Sequence, residues 1–196
     1  MGHDLRAALR PSLVMLLLFT LLTGLAYPAL LTGIAQAVFP SQANGSLVHN
    51  GNTVLGSELI GQGFASPRYF HARPSAAGKG YDATASGGSN FGPASKALVD
   101  RVAGDVKAAR ADGLTGPVPA DMITASGSGL DPDVSPATAY AQVTRVARAR
   151  GMADGVVKAM VDSAVQSPAG AVIGEPRVNV LLLNRQLDRA SAQPAR

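Results

Sequence analysis

The chain contains no cysteine and no tryptophan among its 196 residues, and from Pro11 to Ser57 it contains no Asp, Glu, Lys or Arg. The missing thiols exclude disulfides, thiolate metal sites and cysteine nucleophiles, and they leave the compartment open. Aromatics make up only 5% of residues beside 22 glycines, which predicts a thin core of Val, Leu and Ala. No strong charge of one sign is present either. The formal net charge is +4, the basic residues are scattered, and no aromatics are interleaved with them to stack bases, so no nucleic-acid partner is expected. The single basic cluster, Arg145, Arg148 and Arg150, reads as a solvated helix face.

The charge-free stretch divides the chain into two physical regimes. Its first part, Leu13 to Phe39, holds nine leucines with Val14, Phe19, Ile34, Val38 and Phe39. A membrane helix needs about 20 apolar residues to cross about 30 Å of hydrocarbon, so a transmembrane anchor is expected over Ser12 to Phe39. Pro28 should kink it or end its regular hydrogen bonding. Gly24, Gly33, Thr20, Thr23 and Thr32 supply small or weakly polar surface for close helix approach, and such residues are also common in membrane helices generally. A cleavable signal peptide is the competing reading, because Ala35-Gln36-Ala37 has the small-x-small form of a cleavage site. Its apolar core is usually about 7 to 15 residues, far shorter than this run. Arg6 and Arg10 precede the anchor and no Lys or Arg follows until Arg68, so the positive-inside rule puts residues 1–11 in the cytoplasm and the bulk of the chain outside.

The remaining residues suffice for one domain. Ser46 to His49 and Thr53 to Leu55 read as strands of a hairpin joined through Asn50-Gly51-Asn52, with Asn-Gly favouring a type I′ turn. From Phe64 to Gly92 the chain is rich in Gly, Ser, Ala and Pro, and an ordered irregular loop held by Tyr69, Phe70, Tyr81 and Phe91 is expected. Three helices follow. Ser95 to Ala111 places Leu98, Val102, Val106 and Ala109 on one face. The second has Ser135 as N-cap and Pro136 at its first position, and it stops at Gly151. The third covers Asp154 to Gln166, and all three should face one shared core. Val178 to Leu183 reads as a buried central strand. The expected fold class is α+β: one N-terminal transmembrane helix, then a single soluble domain (residues 40–189) with a small β-sheet and about three helices, and a frayed tail over 190–196.

Two Gly-Ser clusters are the candidates for chemistry: Ser86 to Asn90, and Thr124 to Pro132 with Ser126, Gly127, Ser128, Gly129 and Asp131. Backbone N–H groups in such loops can cradle an anion. Neither is a Walker A loop, since no Gly-Lys-Ser/Thr follows, and neither is a Gly-x-Ser-x-Gly elbow. Tight turns with Ser and Asx caps are the plain alternative. Beyond the anchor only His49 and His71 could serve as a base, and surface positions are the ordinary reading of both. No metal site is expected, because no histidines lie at helical spacing and Asp131-Pro132-Asp133 is an isolated acidic pair.

An ordered set of segments nevertheless carries a family resemblance. Leu22-Thr-Gly24, Tyr27-Pro28, Phe39-Pro40, Ala43 to Ser46, Leu59 to Gln62, Tyr69 to Ser75, Tyr81 to Ala83, Ser86 to Asn90, Thr124 to Pro132, Gln142 to Ala147 and Val178 to Leu181 strongly resemble the KdpC family, over nearly the whole chain. Asp133 departs from the pattern, where many relatives are expected to carry His.

The resemblance implies a non-catalytic accessory subunit of a bacterial P-type potassium pump, in the inner membrane. Its partners would be a potassium-translocating channel-like subunit, an ATP-hydrolysing subunit and membrane lipid. It implies no cofactor of the chain's own; K+ is the transported ion and ATP the nucleotide of the complex. Two roles follow from it: assembly of the complex, and a catalytic chaperone that raises ATP affinity of the hydrolysing subunit. In the second role, Ser126, Gly127, Ser128, Gly129, Asp131 and Gln142 resemble the signature loop of ABC transporters and help hold nucleotide. ATP is cytoplasmic, whereas the charge asymmetry puts these residues outside, so direct contact is physically difficult. A membrane-anchored extracytoplasmic hydrolase or ligand-binding domain is the alternative from outside the family.

Overall fold

A computed structural model describes residues 2–168, 170 and 173–192. The chain forms two compact units, residues 1–47 and 48–196.

The first unit is built on one helical run. Helix α1 (Gly2–Leu21) passes into a π-helical turn over Leu22–Ala26 and then into α2 (Tyr27–Val38). The π turn answers the problem set by Pro28. A proline ring collides with the carbonyl four residues earlier and offers no N–H; here that carbonyl belongs to Gly24, inside the widened turn, and the Tyr27 N–H donates to Leu22 O, five residues back. The Thr23 hydroxyl takes up the Phe19 carbonyl at 2.6 Å. Regular α bonding therefore gives way just ahead of Pro28, as π-bulges inside helices commonly do. Arg6–Val38 is long and apolar enough to span a membrane, and its apolar side chains are exposed along its length. It is consistent with a single-pass membrane protein. A short α3 (Pro40–Ala43) follows, closed by the Ser46 N–H on Ser41 O at 2.9 Å.

Strands β1 (Leu47–Asn50) and β2 (Thr53–Ser57) pair as the expected hairpin. Its turn differs from expectation. Asn50 stays in the strand and only Gly51 takes a positive φ, 58°, so the glycine occupies the first central position, as in type II′ rather than I′.

In the second unit α4 (Lys96–Ala111) and the single turn α5 (Ala120–Ile123) precede β3 (Asp133–Val134). Helix α6 (Pro136–Arg150) starts where its sequence directs: the Ser135 hydroxyl accepts the Thr138 N–H, Pro136 is at the first turn, and Gly151 closes the helix at φ 67°. After α7 (Asp154–Ala164) come β4 (Val165–Gln166), β5 (Arg177–Asn179) and α8 (Val180–Ala192). Strand β5 lies centrally, antiparallel to both β3 and β4, with Val178 opposite Val134 and Val165. The core gathers Phe70, Val134, Ala139, Val143, Val146, Val157, Val161, Val178, Val180, Leu183 and Leu187.

Four expectations are corrected. The Val178 segment is a central strand only to Asn179, and Val180 begins a helix. Asn179 Oδ1 accepts the Leu182 N–H at 3.1 Å, and Val180, Leu183, Asn184 and Leu187 recur at helical spacing on the buried face. Helix α4 does not share the main core: only Ala109 is buried, and Val99 is 60% exposed. The arginine cluster is a solvated face only at Arg148, since the Arg145 and Arg150 side chains are only 9% and 1% exposed. Of the frayed tail expected over 190–196, residues 190–192 belong to α8, and residues 193–196 lie outside those described.

Candidate functional site

The Ser126–Asp131 segment is the second of two Gly-Ser loops, and the two are interlocked. Gly87 N–H and the Ser86 hydroxyl both donate to Ser128 O, at 2.9 and 3.0 Å. The Ser75 hydroxyl donates to Gly129 O at 2.6 Å while accepting the Ala77 and Tyr81 N–H groups. Gly61 N–H closes the far side on Leu130 O at 2.7 Å. The glycines here serve close approach. A Cβ on Gly129, whose φ is 66°, would stand 2.7 Å from both Ala77 N and Gly87 O, and one on Gly61 would stand 2.5 Å from Asp131 O. Within the loop, Ser128 Oγ accepts the Leu130 N–H and Asp131 Oδ1 the Asp133 N–H, the Ser and Asx turns of the plain alternative. Only its tip, Gly127 and Ser128, is exposed.

Arg73 is the residue that sequence reasoning passed over. Its guanidinium donates to Asp131 Oδ2 at 3.0 Å and to the carbonyls of Thr124 and Ala125, both at 3.3 Å. One planar fork therefore fixes both ends of the Gly-Ser loop. The Tyr81 hydroxyl holds the Arg73 carbonyl in turn, at 2.7 Å.

Gln142 bonds to His71, Thr138 and Arg145 rather than to the loop, in the interior at 2% exposure. Its Oε1 accepts the His71 N–H at 2.8 Å and an Arg145 N–H at 2.6 Å, and its Nε2 donates to His71 O at 3.1 Å and Thr138 O at 3.3 Å. An amide side chain has two donors and two acceptor positions, and all four are in use. Asn184 on α8 treats the preceding residue the same way: Oδ1 accepts the Phe70 N–H at 2.8 Å and Nδ2 donates to Phe70 O at 2.9 Å. Two buried amides from two helices thus substitute for strand neighbours along residues 70–71, which have no ladder of their own. Arg145 and Arg150 extend the brace to residues 67–69. Arg145 donates to the carbonyls of Pro67 and Tyr69; Arg150 donates to Arg68 O, pairs with Asp188 at 2.9 Å and lies over the Tyr69 ring.

His71 lines a cleft of about 250 Å³ with Tyr81, Asp105, Asp112, Gln142 and Arg145. Burial, followed by the Arg145 charge, lowers its pKa, against the opposing hydrogen bond to Ser66 O. Asp121 accepts from the Ser135 N–H and from the Ser135 and Thr138 hydroxyls, at 2.6 to 3.0 Å. Burial is the largest influence on it and pushes its pKa up, but these bonds together outweigh burial and hold the carboxyl below its ordinary value. Asp133 is held above its ordinary value by burial, against the pull of Arg177 at 3.1 Å. Among the described residues no three His, Asp or Glu side chains are grouped to hold a metal ion. The hydroxyls of Ser126 and Ser128 face one another at 3.3 Å, and neither bonds a histidine.

The geometry extends through the segments that carried the resemblance, and comparison with known proteins agrees with it. The family model described as "KdpC: K+-transporting ATPase, c chain" matches residues 9–189. The chain belongs to the KdpC family. It is 58% identical over 181 residues to the potassium-transporting ATPase KdpC subunit of Caulobacter vibrioides, covering 92% of both chains. It is 56% identical to that of Allorhizobium ampelinum, covering 94% of this chain and 97% of the relative. Against that of Gemmatimonas aurantiaca it is 55% identical, covering 94% of each. The KdpC match takes in both the apolar helix and the braced domain.

Proposed function

We propose that this chain is the anchored accessory subunit of a bacterial potassium-transporting ATPase, docking on a channel-like potassium-translocating subunit and an ATP-hydrolysing subunit. The observation that carries this reading is the family match over residues 9–189, which includes the helix as well as the domain. Arg6 and Arg10 before the span, with no further Lys or Arg until Arg68, support an N-terminus in the cytoplasm and a domain outside it. Residues 12–39 are then the anchor and 40–189 the extracytoplasmic domain in the inner membrane. Catalysis of ATP hydrolysis belongs to the other subunit.

The domain's contribution is architectural. Gln142 has no hydrogen-bonding position left for a ligand, and the Gly-Ser loop gives its Ser128, Gly129 and Leu130 carbonyls to neighbouring loops while its two serine hydroxyls bond within the loop. Such a domain is a preformed block, suited to holding partner subunits in register. Purification of a tagged chain from membranes in mild detergent tests this. Recovery with two larger membrane proteins is expected, and a chain that stays alone without affecting potassium uptake when deleted overturns it.

A second reading, the ATP-affinity role, is favoured by one observation: Gly127 and Ser128 form an exposed tip to which a nucleotide has access. Gly127 has open space at its Cβ position, so Gly127→Ala changes the tip without disturbing the braces. A raised ATP requirement for half-maximal hydrolysis supports this role, and an unchanged one counts against it.

A further inference from the structure

We propose that the β2 edge of the hairpin and the turn after it form a second, interfacial membrane contact, lying in the headgroup region of the leaflet from which the domain emerges. The inference rests on the anchor reading above. Val54, Leu55 and Leu59 are 51%, 41% and 57% exposed, and Ile60 is exposed beside them. Val54 and Leu55 are successive residues of one strand, so their side chains leave opposite faces of the ribbon. A partner protein buries one face of such a ribbon, whereas a fluid interface accepts both.

Two further observations specify lipid. First, the charge-free stretch that begins at Pro11 does not end with the helix but runs through both strands to Ser57. No Asp, Glu, Lys or Arg has to be dehydrated when β1 and β2 enter the interface, and His49 with the Asn50 to Asn52 turn is polar enough to stay at headgroup level. Only residues 40–46 separate the helical run from the hairpin, at most about 25 Å of extended chain, and the turn at Pro40–Ala43 shortens it. Second, the rim carries cations. Arg185 on α8 donates to His49 O at 2.8 Å and lines a groove with Leu55 and with Asp188, whose carboxylate is paired with Arg150 at 2.9 Å, and Arg189 follows one helical turn on, exposed. An apolar ribbon beside two arginines matches an acyl boundary below anionic headgroups. Glu58, the first acidic residue beyond the ribbon, is half-buried in a cleft it shares with Asp133 and Arg177, which pair with each other at 3.1 Å.

The absence of native cysteine makes the test direct. Single variants Leu55→Cys, Leu59→Cys, Val99→Cys and Leu25→Cys of the full chain are labelled with an environment-sensitive fluorophore. They are reconstituted in vesicles of phosphatidylethanolamine and phosphatidylglycerol, alone and with the partner subunits. The expected result is strong quenching by spin-labelled lipid at positions 25, 55 and 59, with a severalfold loss of quenching by iodide relative to position 99. Lipid quenching at 25 with iodide-accessible labels at 55 and 59 overturns the inference and leaves the anchor intact. Labels at 55 and 59 shielded from both quenchers, only when the partners are present, overturn it in favour of a protein contact. Iodide access at 25 instead marks failure of the anchor reading itself.

Discussion

Gln142 and His71 exchange a reciprocal pair of hydrogen bonds, 2.8 Å from the His71 N–H to Oε1 and 3.1 Å from Nε2 to the His71 carbonyl. A side chain on α6 thereby does for a loop residue what a neighbouring strand does in a sheet. Asn184 repeats the arrangement on Phe70.

Removing either amide leaves a backbone donor and acceptor unsatisfied in a buried place. Gln142→Ala should cost about 2–3 kcal/mol, a fall of about 5–10 °C in Tm for a domain of this size. Because the two amides hold adjacent residues, Gln142→Ala with Asn184→Ala should lose less than the sum of the single losses. With no tryptophan in the chain, circular dichroism of the detergent-solubilised protein is the suitable reading. A Gln142→Ala protein as stable as the parent contradicts the brace.

The Gly-Ser loops predict opposite outcomes for neighbouring glycines. Gly129→Ala drives a Cβ into Ala77 N and Gly87 O at a positive φ, and Gly61→Ala drives one into Asp131 O. Each should destabilise by about 2 kcal/mol or more. Gly127→Ala meets open space and should change stability by less than about 0.5 kcal/mol. Equal effects at 127 and 129 would show that the loops do not interlock.

Arg73→Lys keeps the charge but replaces the planar fork by a point charge. The contact to Asp131 can survive, while those to the Thr124 and Ala125 carbonyls are lost. Amide hydrogen exchange over 124–131 should quicken, with little change in α6 or α7. Unchanged exchange in the loop contradicts the role given to Arg73.

His71 gives the domain an acid-sensitive element. Its folded pKa lies below the ordinary 6.5, first through burial and then through Arg145, so the unfolded chain takes up the proton more readily than the folded one. The contribution is full above about pH 6.5 and is lost progressively as pH falls from there through the lowered folded value. His71→Gln should flatten the pH dependence of Tm across that window. Asp121, with its pKa lowered, acts in a lower window: its contribution is present above about 3.8 and is lost as pH falls through its folded value.

The parts of this fold legible in the sequence are those with local causes. Ser135, Pro136 and Gly151 mark the ends of α6 by their own chemistry, and the run after Pro11 declares a membrane-length helix by length alone. The strand expected at Val178 to Leu183 failed because a short apolar run has no period of its own. Asn179 and the spacing to Leu187 were the signals that the run turns helical. The burial of Arg145 and Arg150 was invisible for a different reason: their acceptors, the carbonyls of residues 67–69, lie about 80 positions away in a segment without regular structure. Gln142 was singled out by resemblance as a ligand contact, and its four hydrogen bonds are visible only once α6 lies against residues 70–71.

The proposed topology puts the braced domain outside the cytoplasm, away from ATP. A topology assay with reporters fused at the C-terminus tests that placement: alkaline phosphatase, active only outside, against green fluorescent protein, which matures only inside. Phosphatase activity without fluorescence is the predicted result. Fluorescence without phosphatase activity contradicts the account and returns the Gly127-Ser128 tip to the compartment that holds ATP.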